Sequence, residues 1–126
     1  MKGDGWQVAV VKDIPPVKAD WPQEWKSVRH HLGISAFGIN AVSKATGETL
    51  TPAHDELESN QQEVFFVHEG EATAILDGHE VIVRTGEIVA VEPHVTRSFV
   101  ARATPTTLLI VGAPVGAAYE LPGWEQ

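Results

Sequence analysis

Beyond residue 34, short runs of β-branched, aromatic and aliphatic residues alternate with glycine- and proline-bearing turns. The pattern predicts strands over residues 34–42, 48–53, 63–68, 72–76, 81–84, 88–91, 96–103 and 107–111. In the run at 63–68 the two-residue repeat puts Glu63, Phe65 and Val67 on one face and Val64, Phe66 and His68 on the other. Asp77-Gly78 joins two of the strands and is a strong hairpin signal, while Thr46-Gly47 and Thr85-Gly86 mark further turns. A strand about every ten residues, each closed by Gly or Pro, predicts an all-β sandwich or barrel.

The two ends read differently. Residues 8–11 predict a short strand that Pro15 and Pro16 would break. Asp20-Trp21-Pro22-Gln23-Glu24 carries the marks of a helix start: a capping carboxylate, an early proline and an acidic residue near the positive end of the dipole. That helix would carry Trp25, Val28 and Leu32 on one face and stop at Gly33; being short, it would need the barrel wall for stability. After the last strand, Gly112-Ala113-Pro114-Val115-Gly116 leads into a tail whose residues 119–126 are expected on the surface. The expected organisation is one domain: strap and short helix over 1–33, barrel over 34–112, tail over 113–126.

Composition narrows the chemistry. A chain of 126 residues suits one domain with a real core. Seventeen acidic against nine basic residues give a net charge of −8, and no basic run offers a nucleic-acid footprint. No apolar signal region follows Met1-Lys2-Gly3-Asp4-Gly5, and no stretch approaches the ~18 apolar residues of a membrane span, so a cytoplasmic protein is expected. The absence of cysteine excludes disulfides, thiolate metal sites and a cysteine nucleophile. With no Gly-x-Ser-x-Gly elbow and no phosphate loop, any chemistry falls to acid–base or metal-assisted routes. All four tryptophans (Trp6, Trp21, Trp25 and Trp124) lie in the terminal segments. Either the ends strap across the barrel and bury them, or they form a dimer contact.

Two stretches resemble the paired motifs of the cupin superfamily. In Gln62-Glu63-Val64-Phe65-Phe66-Val67-His68-Glu69-Gly70-Glu71, a glutamate precedes an apolar strand that closes on a glycine seven residues later. Gly47 lies seven residues before His54, as the family's first glycine precedes its histidine pair. Gly86-Glu87-Ile88-Val89-Ala90-Val91-Glu92-Pro93-His94-Val95-Thr96-Arg97-Ser98-Phe99 follows the outline of the second motif, and the hairpin at 76–81 lies between the two. The resemblance covers residues 34–112. It implies a jelly-roll β-barrel, a homodimer and a place among many bacterial enzymes and binding proteins.

The departures from the family pattern bear on function. The resemblance implies a metal site of two histidines and a glutamate from the first motif and one histidine from the second. Here His54-Asp55-Glu56 sets Glu56 at the second histidine position, whereas counting back from Glu63 sets Glu56 and Glu58 at the pair. Arg97 stands where the last histidine belongs, and His94 takes a glycine position of the turn.

Two readings follow. In the first, His54, Glu56 and Glu63 hold a divalent transition metal (Fe, Mn, Ni or Zn), a nitrogen-and-carboxylate set that suits such ions. Residues 54 and 56 share a strand face, so the two can converge. Arg97 opposes this reading, because a permanent cation beside a metal is repelled. In the second, no metal is bound: Arg97 pairs with Glu63, and the cavity holds a small molecule, a carboxylate-bearing one suiting Arg97. Phe65 and Phe99 would line such a pocket, Val64 and Phe66 replacing Phe65 and Val67 if the faces slip by one. His94 would sit at its rim. His68 belongs to the outer or dimer face, His79 to solvent, and His30 and His31 to a helix C-terminus. Glu63 and His54 are the best proton carriers. The expected function is a small-molecule-binding cupin; the rivals are a metal-dependent oxygenase or isomerase and a metal-free dimeric sensing scaffold.

Overall fold

A computed structural model describes residues 1–17 and 25–125, apart from the side chain of residue 125. The chain forms strands β1 (Lys2–Gly3), β2 (Trp6–Gln7), β3 (Lys26–Ser27), β4 (Gly38–Lys44), β5 (Thr49–His54), β6 (Gln61–Glu69), β7 (Glu71–Leu76), β8 (His79–Arg84), β9 (Ile88–Val91), β10 (Arg97–Ala101) and β11 (Thr106–Pro114). β1 and β2 form a small two-stranded sheet; of the two larger sheets one has the order β5-β10-β7-β8 and the other β3-β4-β11-β6-β9, with all pairs antiparallel. This is the all-β jelly-roll barrel expected.

The hairpin signal at Asp77-Gly78 is realised directly. Both residues have positive φ (49° and 83°), the geometry in which a two-residue turn matches strand twist, and Leu76 pairs with His79 across it. Gly70 is needed more strictly. At φ +82° a Cβ there would lie 2.5 Å from the Pro105 carbonyl oxygen and 2.6 Å from Thr106 Oγ1. The glycine that closes the first motif is therefore set by close approach of the β10–β11 loop as well as by its dihedral.

The core lies between the sheets. Leu50, Ala72, Ala74, Val83, Phe99 and Ala101 from one sheet meet Val42, Phe65, Val67, Val91, Leu108 and Ile110 from the other, all essentially inaccessible. Phe65 and Phe99 stack with ring centroids 4.4 Å apart. Burying each ring is worth about 2–3 kcal/mol from area alone, and the stacking adds to it. A smaller cluster of Ile14, Val28 and Ala41, with Ile39 and Leu109 against it, seats the N-terminal strap on the outer face of β4 and β11.

The termini correct three expectations. The helix is one short turn, Val28–Leu32, whose cap is Ser27 Oγ accepting from the His30 N–H at 3.1 Å. Trp25 and Lys26 are drawn out of it because Lys26 and Ser27 pair with Ala41 and Asn40 as an added edge strand. The cap foreseen at Asp20, and Trp21, lie outside the described residues. Gly33 does stop the helix, in the left-handed conformation at φ 69°. Residues 8–11 form no strand; a turn of 3₁₀ helix over Val11–Asp13 lets Ile14 reach the small cluster. Past β11, the tail turns back to the barrel mouth through Tyr119 and Trp124, both half-buried.

Candidate functional site

An open cavity of about 440 Å³ occupies one end of the barrel. Strand β6 sends Gln61, Glu63 and Phe65 into it, so the faces stand as first assigned; Val67 lies deeper in the core, and Val64 and Phe66 face outward. Gly112 of β11 pairs with Glu63, and a Cβ there would come within 2.9 Å of Gln61 Oε1 and 3.0 Å of Glu63 Cγ. The glycine thus makes room for both side chains. From the opposite sheet, β5 supplies Thr51, Pro52 and His54, and the following loop supplies Glu56 and Ser59.

His54, Glu56 and Glu63 converge. One donor atom from each lies within 4.8 Å of the others. His54 Nε2 is 3.1 Å from Glu56 Oε1, and His54 Nδ1 is 2.8 Å from the Pro52 carbonyl oxygen. A carbonyl and a carboxylate both only accept, so the protonated ring donates from Nδ1 to Pro52 and from Nε2 to Glu56, while the neutral ring that keeps its Nδ1 proton leaves Nε2 free as a ligand. The Glu56 hydrogen bond raises the His54 pKa, against the opposing effect of burial. For Glu56, burial acts upward, but hydrogen bonds from His54 and from Ser59 Oγ (2.6 Å) outweigh it and lower the pKa. Glu63 behaves oppositely. Burial, reinforced by the charge of Glu56, pushes its pKa up to about 7, although Arg97 and His54 pull it down. Glu58 is exposed and outside the cavity, so of the two motif alignments only the one that pairs His54 with Glu56 has both residues on the cavity wall.

Arg97 is wholly buried on β10, directly across from His54 of β5. Its Nη2 donates to the Glu92 carbonyl at 2.9 Å, and its Nε stands 3.9 Å from Glu63 Oε1. That separation is within ion-pair range but too long for a hydrogen bond. Among the described residues Arg97 Nε and Nη1, Glu63 Oε1 and Asn40 Oδ1 have no hydrogen-bond partner. The loose contact explains why Arg97 does not hold Glu63 at an ordinary carboxylate pKa. Arg97, expected to clamp a ligand carboxylate, is not among the residues lining the cavity: its guanidinium is wholly buried and faces Glu63. Phe99 likewise stands behind Phe65, because the stacked ring fills the core beneath the cavity floor. His94 is exposed in the β9–β10 turn and is not a lining residue; the same turn buries Pro93 instead. His30, His31, His68 and His79 are exposed, as expected.

The residues present suit a divalent metal. An imidazole whose second nitrogen is fixed by a backbone carbonyl, beside two carboxylates, is a recurrent ligand arrangement. The buried orphan oxygen of Glu63 has an acceptor's capacity to spare.

Sequence reasoning missed part of the wall. Trp25, Asn40, Tyr119, Pro122 and Trp124 also line the cavity, with Tyr119 seated over Gly38. The signal was present in the confinement of the tryptophans to the two ends. Trp25 and Trp124 are half-buried at the cavity, as straps would place them, whereas Trp6 remains 53% exposed.

The model of the cupin domain matches residues 45–112, more than half of the chain. The chain belongs to the cupin family. Among solved structures, a cupin protein from Bacteroides fragilis is similar at TM-score 0.71 and 15% identity, over 97% of this cupin and 93% of its own length. A sugar phosphate isomerase of the cupin superfamily from Silicibacter pomeroyi is similar at TM-score 0.62 and 27% identity, over 70% of this cupin. A protein from Acidithiobacillus ferrooxidans is similar at TM-score 0.63 and 20% identity, again over 70%. The cupin spans only 57% and 56% of the lengths of these last two. No curated protein matches the sequence.

Proposed function

We propose that this cupin holds a divalent transition metal (iron, manganese, nickel or zinc) on His54, Glu56 and Glu63 and acts on a small molecule admitted at the barrel mouth. The observation that carries the reading is the convergence of those three donor sets within 4.8 Å on the wall of an open cavity. A bound ion would supply Lewis-acid polarisation of a ligand oxygen. The chain's own residues hold the arrangement: Pro52 orients the imidazole, Ser59 holds Glu56, and Arg97 offsets charge behind Glu63.

The sugar phosphate named for the Silicibacter pomeroyi relative is not carried over. No lysine or arginine lines the cavity among the described residues, and a phosphate needs such a partner. The metal-free scaffold has weaker support, since Arg97 and Glu63 are 3.9 Å apart without a hydrogen bond and the barrel end is open. The reading includes a cytoplasmic homodimer, with the outer face of β6 and β9, where Ile88 is 62% exposed, covered by a second copy. Light scattering on the purified protein tests that assembly, a monomer at micromolar concentration counting against it.

The metal is tested by elemental analysis of protein purified without chelator or histidine tag, alongside His54→Ala. About one ion per chain, lost in the variant, is expected. No uptake after incubation with excess Fe, Mn, Ni and Zn would falsify the reading.

A further inference from the structure

The cavity is built from two sources. His54, Glu56, Gln61, Glu63 and Phe65 lie inside the stretch that matches the family, residues 45–112. Trp25, Tyr119, Pro122 and Trp124 lie outside it, in the segments before and after the matched stretch. Trp25 precedes β3 and Tyr119 covers Gly38 of β4, while Glu63 stands on β6, two strands from β4 in the same sheet, and His54 and Glu56 come from β5 and the loop after it. The cavity therefore joins an aromatic patch from the two ends of the chain to three ionisable side chains of the barrel.

We infer that this cupin selects a ligand with a flat, unsaturated ring bearing oxygen groups along one edge, a phenol or catechol, with its ring against Trp25, Tyr119 and Trp124 and its oxygens toward His54, Glu56 and Glu63. The inference rests on the metal-site reading for the oxygen end only. Three features support it. A planar ring meets an aromatic wall over its whole face, and a ring with hydroxyls on every edge would leave donors unpaired against Trp25, Pro122 and Trp124. The absence of lysine or arginine from the lining, among the described residues, disfavours phosphorylated or sulfated ligands. A volume of about 440 Å³ accommodates a single substituted ring with room to spare.

The seat of Tyr119 gives a clean perturbation. A Cβ on Gly38 would lie 3.0 Å from Tyr119 Oη and 3.4 Å from its ring, and Gly38 carries no positive φ, so Gly38→Val is expected to displace the tyrosine without straining the backbone. Calorimetric titration compares catechol, trans-cyclohexane-1,2-diol, glucose and inorganic phosphate on one preparation whose metal content is measured. Catechol is expected to bind about 10-fold more tightly than the saturated diol, which presents the same two oxygens without the flat face. Tyr119→Ala and Gly38→Val should each weaken catechol about 3- to 10-fold and leave metal content and far-ultraviolet dichroism unchanged. Equal affinity for the two diols, preference for glucose or phosphate, no catechol binding, or indifference to both substitutions overturns the inference. Metal without ring preference sinks this inference alone; ring preference without metal sinks the metal reading alone.

Discussion

Replacing Glu63 by glutamine in the metal-free protein should make it more stable at pH 8 while changing little at pH 5. Burial holds the Glu63 carboxyl at about 7, against an ordinary value of 4.5, and its side chain is only 12% exposed. In the unfolded chain the proton leaves near the ordinary value; in the folded chain it stays until about 7. Between those limits the folded state binds more protons, so stability falls as pH rises and levels off above the folded pKa. The interval corresponds to about 3 kcal/mol. The pull of Arg97 is already contained in that value, so it is not counted again. Glutamine carries no proton to lose and escapes the cost. His54 has the same sign, since its raised pKa gives stability present below its ordinary value and lost as pH rises through the folded one. Glu56, with a lowered pKa, contributes stability above its ordinary value that is lost as pH falls through the folded one, hence the lower limit of pH 5. Urea unfolding followed by tryptophan fluorescence in chelator, at four values between pH 5 and 8, gives the difference between variant and parent. That difference should grow with pH to about 3 kcal/mol in favour of glutamine. A difference that is flat, or that favours glutamate at pH 8, would show Glu63 ionised and paired with Arg97, and the burial argument would fail. Adding Zn²⁺ at pH 8 should stabilise the parent far more than the variant.

Other perturbations follow from the same geometry. Phe99→Ala removes one ring of the Phe65–Phe99 stack from a site with no solvent access and should cost about 3–5 kcal/mol in urea unfolding; a cost under about 1 kcal/mol would mean that the stack is not core. Gly70→Ala places a methyl group 2.5 Å from the Pro105 carbonyl at φ +82°, so a loss of about 2 kcal/mol or more is expected, whereas Gly47→Ala, at φ +86° with open space around it, should cost only the dihedral strain of about 1 kcal/mol. Equal losses at the two glycines would remove the close-approach argument for Gly70.

Strand spacing and the alternation within 63–68 determined the barrel and the inward face of Glu63, Phe65 and Val67, because side-chain direction along a strand is a local property of the backbone. Local spacing likewise brought out His54 and Glu56, two residues apart, although β5 ends at His54 and Glu56 lies in the loop after it. Which inward residue reaches the cavity was decided only by tertiary structure. Arg97 points inward, but its place between β5 and β7, with Glu92 accepting its hydrogen bond, seals it behind Glu63. His94 looked equally well placed on the chain, but the turn carries it to solvent. The loose Arg97–Glu63 contact, and with it the carboxyl held near pH 7, depends on fractions of an ångström between strands far apart in sequence. The aromatic wall was the least legible part. Trp25 and Tyr119 are separated by most of the chain and obey no shared period; they meet at the barrel mouth because β3 joins the sheet edge and the tail doubles back over Gly38. Periodicity tells a strand which way to face, while a site assembled from the two ends of a chain exists only once the sheet has brought those ends together.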